Sequence, residues 1–211
     1  MIIPSIDLRP DLLPIRHQGR RQSCLAFASS TAHEHQATPG EHLSVEFLFY
    51  HAVARTPGAD QSTGTTMAAI VSALADEGQP VETAWPYSPS HLTPWIPPSI
   101  TGGVYKTTIV VGRLIFNDII AALDRRRPII LGLVITDAFF RPDVVGRIVD
   151  QNPDIERGGH AVLAVGHDIG TTNTPALLIR NSWGEGWGLG GYAWLTRTYI
   201  DRQLHETAVL A

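Results

Sequence analysis

The first half of the chain carries apolar stripes of helical period separated by short polar breaks. Met67, Ile70, Val71 and Leu74 recur at i, i+3, i+4 and i+7, one face of a helix, and Gly78 supplies a stop. Upstream, "CLAFASSTAHEH" predicts a helix that starts near Cys24, with Ser23 placed to cap it and Pro39 and Gly40 to end it. A second helix, "VEFLFYHAVAR", follows Ser44, again a capping residue. Leu43 and Leu48 stand at the two positions of a hydrophobic staple around that cap. Between Pro80 and Pro98 the period is lost in a stretch rich in Pro, Trp and Tyr, the composition of an ordered loop.

Beyond residue 103 the pattern changes. Val104 to Gly112 is β-branched and strand-like, and a short helix, "NDIIAALDRRR", is cut off by Pro128. Strand-like runs follow at Ile129 to Ile135, Ala161 to His167, Ala176 to Arg180 and Gly191 to Thr196. "DIGTTNTP", between two of them, has the Gly, Asn and Pro of a hairpin loop. Val134 to Glu156, with Phe139, Phe140 and Arg141, gives no clear reading past its first residues. Strands that follow helices, without alternating with them, predict an α+β fold. The expected layout is one domain over residues 1–211, with a helical lobe at about 15–103. A mostly antiparallel β lobe at about 104–205 is joined by the N-terminal segment.

A chain of 211 residues can bury a full core, and 44% hydrophobic with 17% charged residues is ordinary for a globular protein. The net charge of −4 gives no basis for a nucleic-acid partner. The run Arg125-Arg126-Arg127 reads as a solvated helix end. No apolar run approaches the roughly 20 residues that span a bilayer, and Asp7, Arg9 and Asp11 interrupt any signal-peptide pattern at the N-terminus. One cysteine closes no internal disulfide, which fits a reducing compartment. The expectation is a cytoplasmic protein with no membrane partner.

Cys24 is either a small core residue or a nucleophile at a helix start. A helix N-terminus favours the thiolate, because unpaired N–H groups and the helix dipole stabilise negative sulfur. Such a nucleophile needs a base. Among nine histidines, His33, His35, His42, His51, His91, His167 and His205 have no supporting context. His33 and His35, two apart on a helix, make a poor metal pair. His160 differs: two glycines precede it in "RGGHAVLAVGHD" and an apolar strand follows, which places an imidazole at a strand mouth. Asn181 ends another strand in "LLIRNSWGEGWGLGGYAWL", and an uncharged amide can orient an imidazole by hydrogen bonding.

Together these segments resemble the papain-like cysteine peptidases. "QGRRQSCLAF" at 18–27 is similar to the family's Q-G-x-C-G-S-C-W-A-F, "GGHAVLAVGHD" to its histidine segment, and "NSWGEGWGLGGY" at 181–192 to N-S-W-G-x-x-W-G-x-x-G-Y at every fixed position. His160 and Asn181 follow Cys24 by 136 and 157 residues, near the ~130–150 of this family. "LSVEFLFYHA" resembles the second-helix region of bacterial members, and "TGTTMAAIVSALADEGQPVETAWPY" the stretch from the substrate-binding glycines through the third helix. The resemblance runs over most of residues 7 to 196. It implies a two-lobed fold with a cleft between the lobes, no cofactor and no metal, and a peptide or protein as substrate. Cys24 would attack as a thiolate, His160 would pair with it and protonate the leaving amine, and Asn181 would hold the imidazole. Trp183 would keep water from the His–Asn bond, and Gln18 would donate to the oxyanion beside the Cys24 N–H. Gly64, Gly158, Gly159 and Trp183 would border the substrate.

The departures from the family pattern carry information. Arg21 stands where the family usually has a disulfide cysteine, Gln22 replaces a glycine and Leu25 a tryptophan. Arg20 and Arg21 read as exposed side chains. Gly158 and Gly159 would widen the main specificity pocket. Only 23 residues precede Cys24, too few for an inhibitory propeptide, so narrow specificity, a regulatory protein or a neighbouring domain is expected to restrain activity. Two alternatives stay open. The acyl group on Cys24 could pass to another acceptor, as in a transglutaminase-like enzyme or a deamidase, or the fold could serve as an inactive binding module.

Overall fold

A computed structural model describes residues 2–149, 154–168 and 174–211. Its centre is helix α1 (Cys24–Ala37), in which every residue from Leu25 to Glu34 is buried. A helix covered all round needs small side chains, and Ala26, Ala28, Ser29, Ser30 and Ala32 let neighbours approach from several sides. Helices α2 (Val45–Ala54) and α3 (Met67–Asp76) pack on it from the helical lobe, and the β-sheet packs on it from the other. The caps on α2 and α3 are made by side chains. Ser44 Oγ accepts from Phe47 N–H at 3.1 Å and Thr66 Oγ1 from Ala69 N–H at 3.3 Å. Leu43 and Leu48, the two staple residues, are both fully buried.

Gly78 closes α3 in the left-handed region at φ 74°, and its N–H donates to the Ala73 carbonyl at 2.9 Å. A Cβ there would lie 2.3 Å from the Tyr105 carbonyl oxygen. Gly78→Ala is therefore expected to lower stability by at least ~1–2 kcal/mol, the left-handed cost alone. Urea denaturation would read this as a lower midpoint at unchanged slope.

The sheet contains β1 (Ile6–Asp7), β2 (Ile109–Gly112), β3 (Ile129–Thr136), β4 (Arg147–Ile148), β5 (Glu156–Asp168), β6 (Ala176–Arg180), β7 (Tyr192–Thr196) and β8 (Leu204–Leu210). Its order is β2-β8-β3-β5-β6-β7-β4, with β1 on β5, and every pairing is antiparallel except β4 with β7. Helices α4 (Phe116–Asp124) and α5 (Arg197–Gln203) pack against it. The α+β expectation holds: helices occupy the first lobe and an almost wholly antiparallel sheet the second. Among the described residues no helix is long and apolar enough to cross a membrane.

Several local expectations are corrected. The strand expected from Val104 begins only at Ile109, where pairing with Leu210 of β8 starts; Tyr105 makes just an isolated bridge to Gln79. The helix expected through Arg127 ends at Asp124. Arg126 then turns into the left-handed region to pair with Asp11, and Arg127 donates to the Leu210 carbonyl. The strand expected from Ala161 starts five residues earlier, because Glu156 to Gly159 pair with Val134 to Thr136 of β3. His160 therefore lies within a strand and not at its mouth. Helix α5 and strand β8 were not expected at all, yet β8 sits between β2 and β3. The centre of the expected hairpin loop, residues 169–173, lies outside the described residues.

Candidate active site

The geometry begins at the first turn of α1. Ser23 occupies the cap position, but its hydroxyl makes no cap bond and meets Tyr87 Oη at 2.7 Å instead. Tyr87 Oη donates to the Gln18 carbonyl at 2.7 Å, so Ser23 is the donor in the first contact. The expected side-chain cap is thus absent, and the first N–H groups of the helix remain for another acceptor. One of them, Leu25 N–H, hydrogen-bonds to the Cys24 sulfur, as does Ala161 N–H from β5. Burial pushes the thiol pKa up. The positive imidazolium of His160, its hydrogen bond to the sulfur and the two N–H bonds outweigh that, and the thiol lies below its ordinary value.

His160 is fixed from its other side. Its Nε2 lies 2.8 Å from Asn181 Oδ1, which also accepts from Ser182 N–H at 2.8 Å. An oxygen that already accepts one N–H presents an acceptor to the ring. Nε2 of His160 therefore donates to that oxygen, and Nδ1 is left to face the sulfur. Aromatic side chains enclose this bond. The Trp183 ring lies 4.7 Å from the imidazole and Phe139 meets it edge-on at 5.6 Å, while Phe140 stacks on Trp183 at 5.2 Å. Asn181 and His160 are buried, and an excluded-water setting strengthens the hydrogen bond.

Gln18 is held on the same framework. Its N–H donates to the Ser182 carbonyl at 2.8 Å, and His17 bridges Trp183 as a one-pair ladder. The Gln18 side chain accepts from Ser182 Oγ at 2.6 Å and donates to the Arg21 carbonyl at 2.8 Å, which leaves its second amide hydrogen unspent. Arg180 ties the incoming chain to β6 by donating to the Leu13 and Pro14 carbonyls, each at 2.6 Å.

Cys24 and His160 open onto a cavity of about 350 Å³, which Gln22, Leu25, Gly64, Gly132, Gly159, Ala161, His205 and Glu206 also line. Of the expected substrate-border residues, Gly64 and Gly159 line this cavity, whereas Gly158 and Trp183 do not; the Trp183 ring lies 4.7 Å from the His160 imidazole. Gly64 is left-handed at φ 85°, with its Cβ position 2.9 Å from the Gln22 carbonyl oxygen, so the cleft wall passes close to the nucleophile loop. Among the described residues, no three His, Cys, Asp or Glu side chains gather as a metal-ligand set.

The family model described as papain family cysteine protease matches residues 3–210. The chain belongs to that family. Among papain-family relatives, the mouse (Mus musculus) protein named cathepsin O is 44% identical over 61 residues, 29% of this chain and 19% of its own. This chain thus spans about a fifth of that relative's length. The structure of xylellain, a cysteine protease from Xylella fastidiosa, superposes with a TM-score of 0.84 at 25% identity, over 100% of this chain and 86% of that one. The Carica candamarcensis cysteine protease CMS1MS2, in complex with E-64, gives a TM-score of 0.74 at 24% identity over 99% of both chains, a likeness of fold.

Against the papain-family pattern, Arg21 is the largest surprise. Arg20 is exposed as expected, but Arg21 is fully buried. Its guanidinium makes two bonds to Glu46, at 2.6 and 2.8 Å, and a third to the Ser88 carbonyl at 2.9 Å. Phe49, Tyr87 and Trp95 surround it at 5.1 to 5.2 Å from each ring centre. Glu46 in turn accepts from Trp95 Nε1 and Ser88 N–H. At the position of the missing disulfide, a buried ion pair joins the nucleophile loop to α2 and to the loop at 88–95. Sequence reasoning also missed Ser182, which orients both Asn181 and Gln18, and the shield of Phe139 and Phe140. The only advance signals were the hydroxyl inside "NSW" and two adjacent aromatics in a stretch without period.

Proposed function

We propose that the protein is a cysteine peptidase that hydrolyses peptide bonds through Cys24, His160 and Asn181. One observation supports this most: a single imidazole hydrogen-bonds to the sulfur on one side and to a buried amide on the other. The thiolate attacks the scissile carbonyl carbon, and the oxygen becomes an oxyanion beside the Cys24 N–H and the free hydrogen of the Gln18 amide. His160 gives its proton to the amide nitrogen, the C–N bond breaks and the amine leaves. Water then attacks the thioester while His160 takes its proton, and the thiolate departs with the acid product released. Asn181 keeps the ring aligned through both transfers.

Incubating the protein with peptides and weighing the products tests the reading. Each cut should add one water; products joined to an added amine would assign transfer instead. Because the Cys24 pKa is lowered, the thiolate fraction should persist below the ordinary thiol range. Alkylation by iodoacetamide should stay rapid as pH falls through that range; a rate that follows an ordinary thiol titration would count against the ion pair. Gln18→Ala should lower kcat by about 10²–10³ with little change in KM, since the amide meets the oxyanion only in the transition state.

A further inference from the structure

The first N–H groups of α1 are donors that the nucleophile uses, and Ser23 is the side chain placed to take them away. A serine before a helix ordinarily turns its oxygen onto the N–H of the second or third helical residue, here Leu25 or Ala26. Leu25 N–H is one of the two that bond the Cys24 sulfur. Ser44, Thr66 and Thr196 make such caps in this chain, each from an extended backbone with ψ between 105° and 159°. Ser23 stands at ψ 13° and makes no cap bond. It is fully buried, so its hydroxyl needs a partner inside the protein. Tyr87 supplies one. The phenol oxygen accepts from Ser23 Oγ and donates to the Gln18 carbonyl, both at 2.7 Å. One hydroxyl thus touches the residue before the nucleophile and the residue that offers the oxyanion donor. The phenol is itself anchored. Tyr87 N–H donates to Glu82 at 2.7 Å, the Phe27 ring meets the phenol edge-on at 4.7 Å, and the Arg21 guanidinium lies 5.2 Å from its centre. The titratable and charged groups around this node are Cys24 with His160, Arg21 with Glu46, and Glu82. Burial pushes the phenol pKa up to about 12, so the hydroxyl keeps its proton.

We propose that Tyr87 is a positioning residue: its hydroxyl holds Ser23 out of the helix cap, which keeps the helix-start N–H groups for the sulfur and the oxyanion, and fixes the Gln18 backbone at the same point. The inference rests on the reading of Cys24 as the nucleophile and adds what keeps its donors free. Without the phenol oxygen, the buried Ser23 hydroxyl has lost its partner, and the nearest use for its oxygen is the cap it now forgoes. A cap bond on Leu25 N–H competes with the sulfur for that donor. The thiolate is then less stabilised, and the thiol titrates at higher pH.

The pH dependence of iodoacetamide alkylation, measured on Tyr87→Phe, Ser23→Ala and the double variant, tests this. Tyr87→Phe keeps the ring and its contacts with Phe27 and Arg21, and thermal unfolding would show that each variant folds. Its alkylation midpoint should move up by about one pH unit, the worth of one hydrogen bond to a charged group. Ser23→Ala removes the competing hydroxyl and should leave the midpoint where the wild type has it. The decisive arm is the double variant: with no Ser23 hydroxyl to turn onto the helix, the midpoint should return to the wild-type value although the phenol oxygen is still missing. Peptide kinetics on Tyr87→Phe should show kcat down by about tenfold with KM little changed, because the Gln18 carbonyl has also lost its donor. An unmoved midpoint in Tyr87→Phe would overturn the proposal. So would a double variant as shifted as Tyr87→Phe alone, since general distortion of the loop would then explain the change. Alkylation needs no turnover, so a wild type that cleaves no peptide would remove the hydrolysis reading while the midpoints still decide this one.

Discussion

Replacing Cys24 by alanine is expected to bring peptide cleavage down to background, a loss on the order of 10⁴–10⁶ in kcat. His160→Ala should cost nearly as much, because it removes both the charge that holds the sulfur ionised and the proton donor for the leaving amine. The two losses are not additive. The double variant should be no worse than either single one, since both groups act in one step and neither works without the other. His160→Ala has a second readout that does not depend on turnover. Four influences lower the Cys24 pKa against burial, and two of them, the charge and the side-chain hydrogen bond, come from His160. Without them burial prevails, the thiol pKa rises, and alkylation at neutral pH slows. A His160→Ala protein that kept fast alkylation at low pH would show that the helix start alone ionises the sulfur.

The largest effect on stability is expected at Arg21. Arg21→Ala leaves Glu46 as an uncompensated buried charge facing three aromatic rings, and breaking such a pair from one side costs about 3–5 kcal/mol. Against a total of roughly 5–15 kcal/mol this is a large fraction. Replacing both members with apolar residues, Arg21→Met with Glu46→Leu, should cost far less, because it leaves no charge behind. Urea midpoints for Arg21→Met, Glu46→Leu and the double form a cycle that isolates the pair. If Arg21→Ala moved the midpoint little, the enclosed guanidinium would contribute less than its geometry implies. The Gln18 amide donates to the Arg21 carbonyl, so a shift of this loop should also appear in kcat.

Much of the site was legible because its signals are local. A lone cysteine at a helix start, a histidine after two glycines and the "NSWG" run are short patterns, and the structure brings Cys24, His160, Asn181 and Gln18 together. The caps at Ser44 and Thr66 follow the same local logic, yet Ser23 looked equivalent in sequence and is not. Its hydroxyl finds Tyr87, 64 residues away, and no window of sequence contains that choice. Arg21 failed for the same reason. An arginine beside another arginine reads as surface until Glu46 and three rings close over it. Strand β8 was invisible because "LHETAVL" carries charge and half-burial; its place between β2 and β3 is set by pairing with those strands and not by its own pattern.

The bridges that hold the candidate site join remote parts of the chain: His17 to Trp183, Leu13 to Arg180, Ile6 to His167. Each closes a loop of well over a hundred residues, and such contacts slow folding because chain entropy is lost before they form. During refolding the sulfur should therefore acquire its fast-reacting state late, together with the last cooperative step. Thiol reactivity can then serve as a clock for that step.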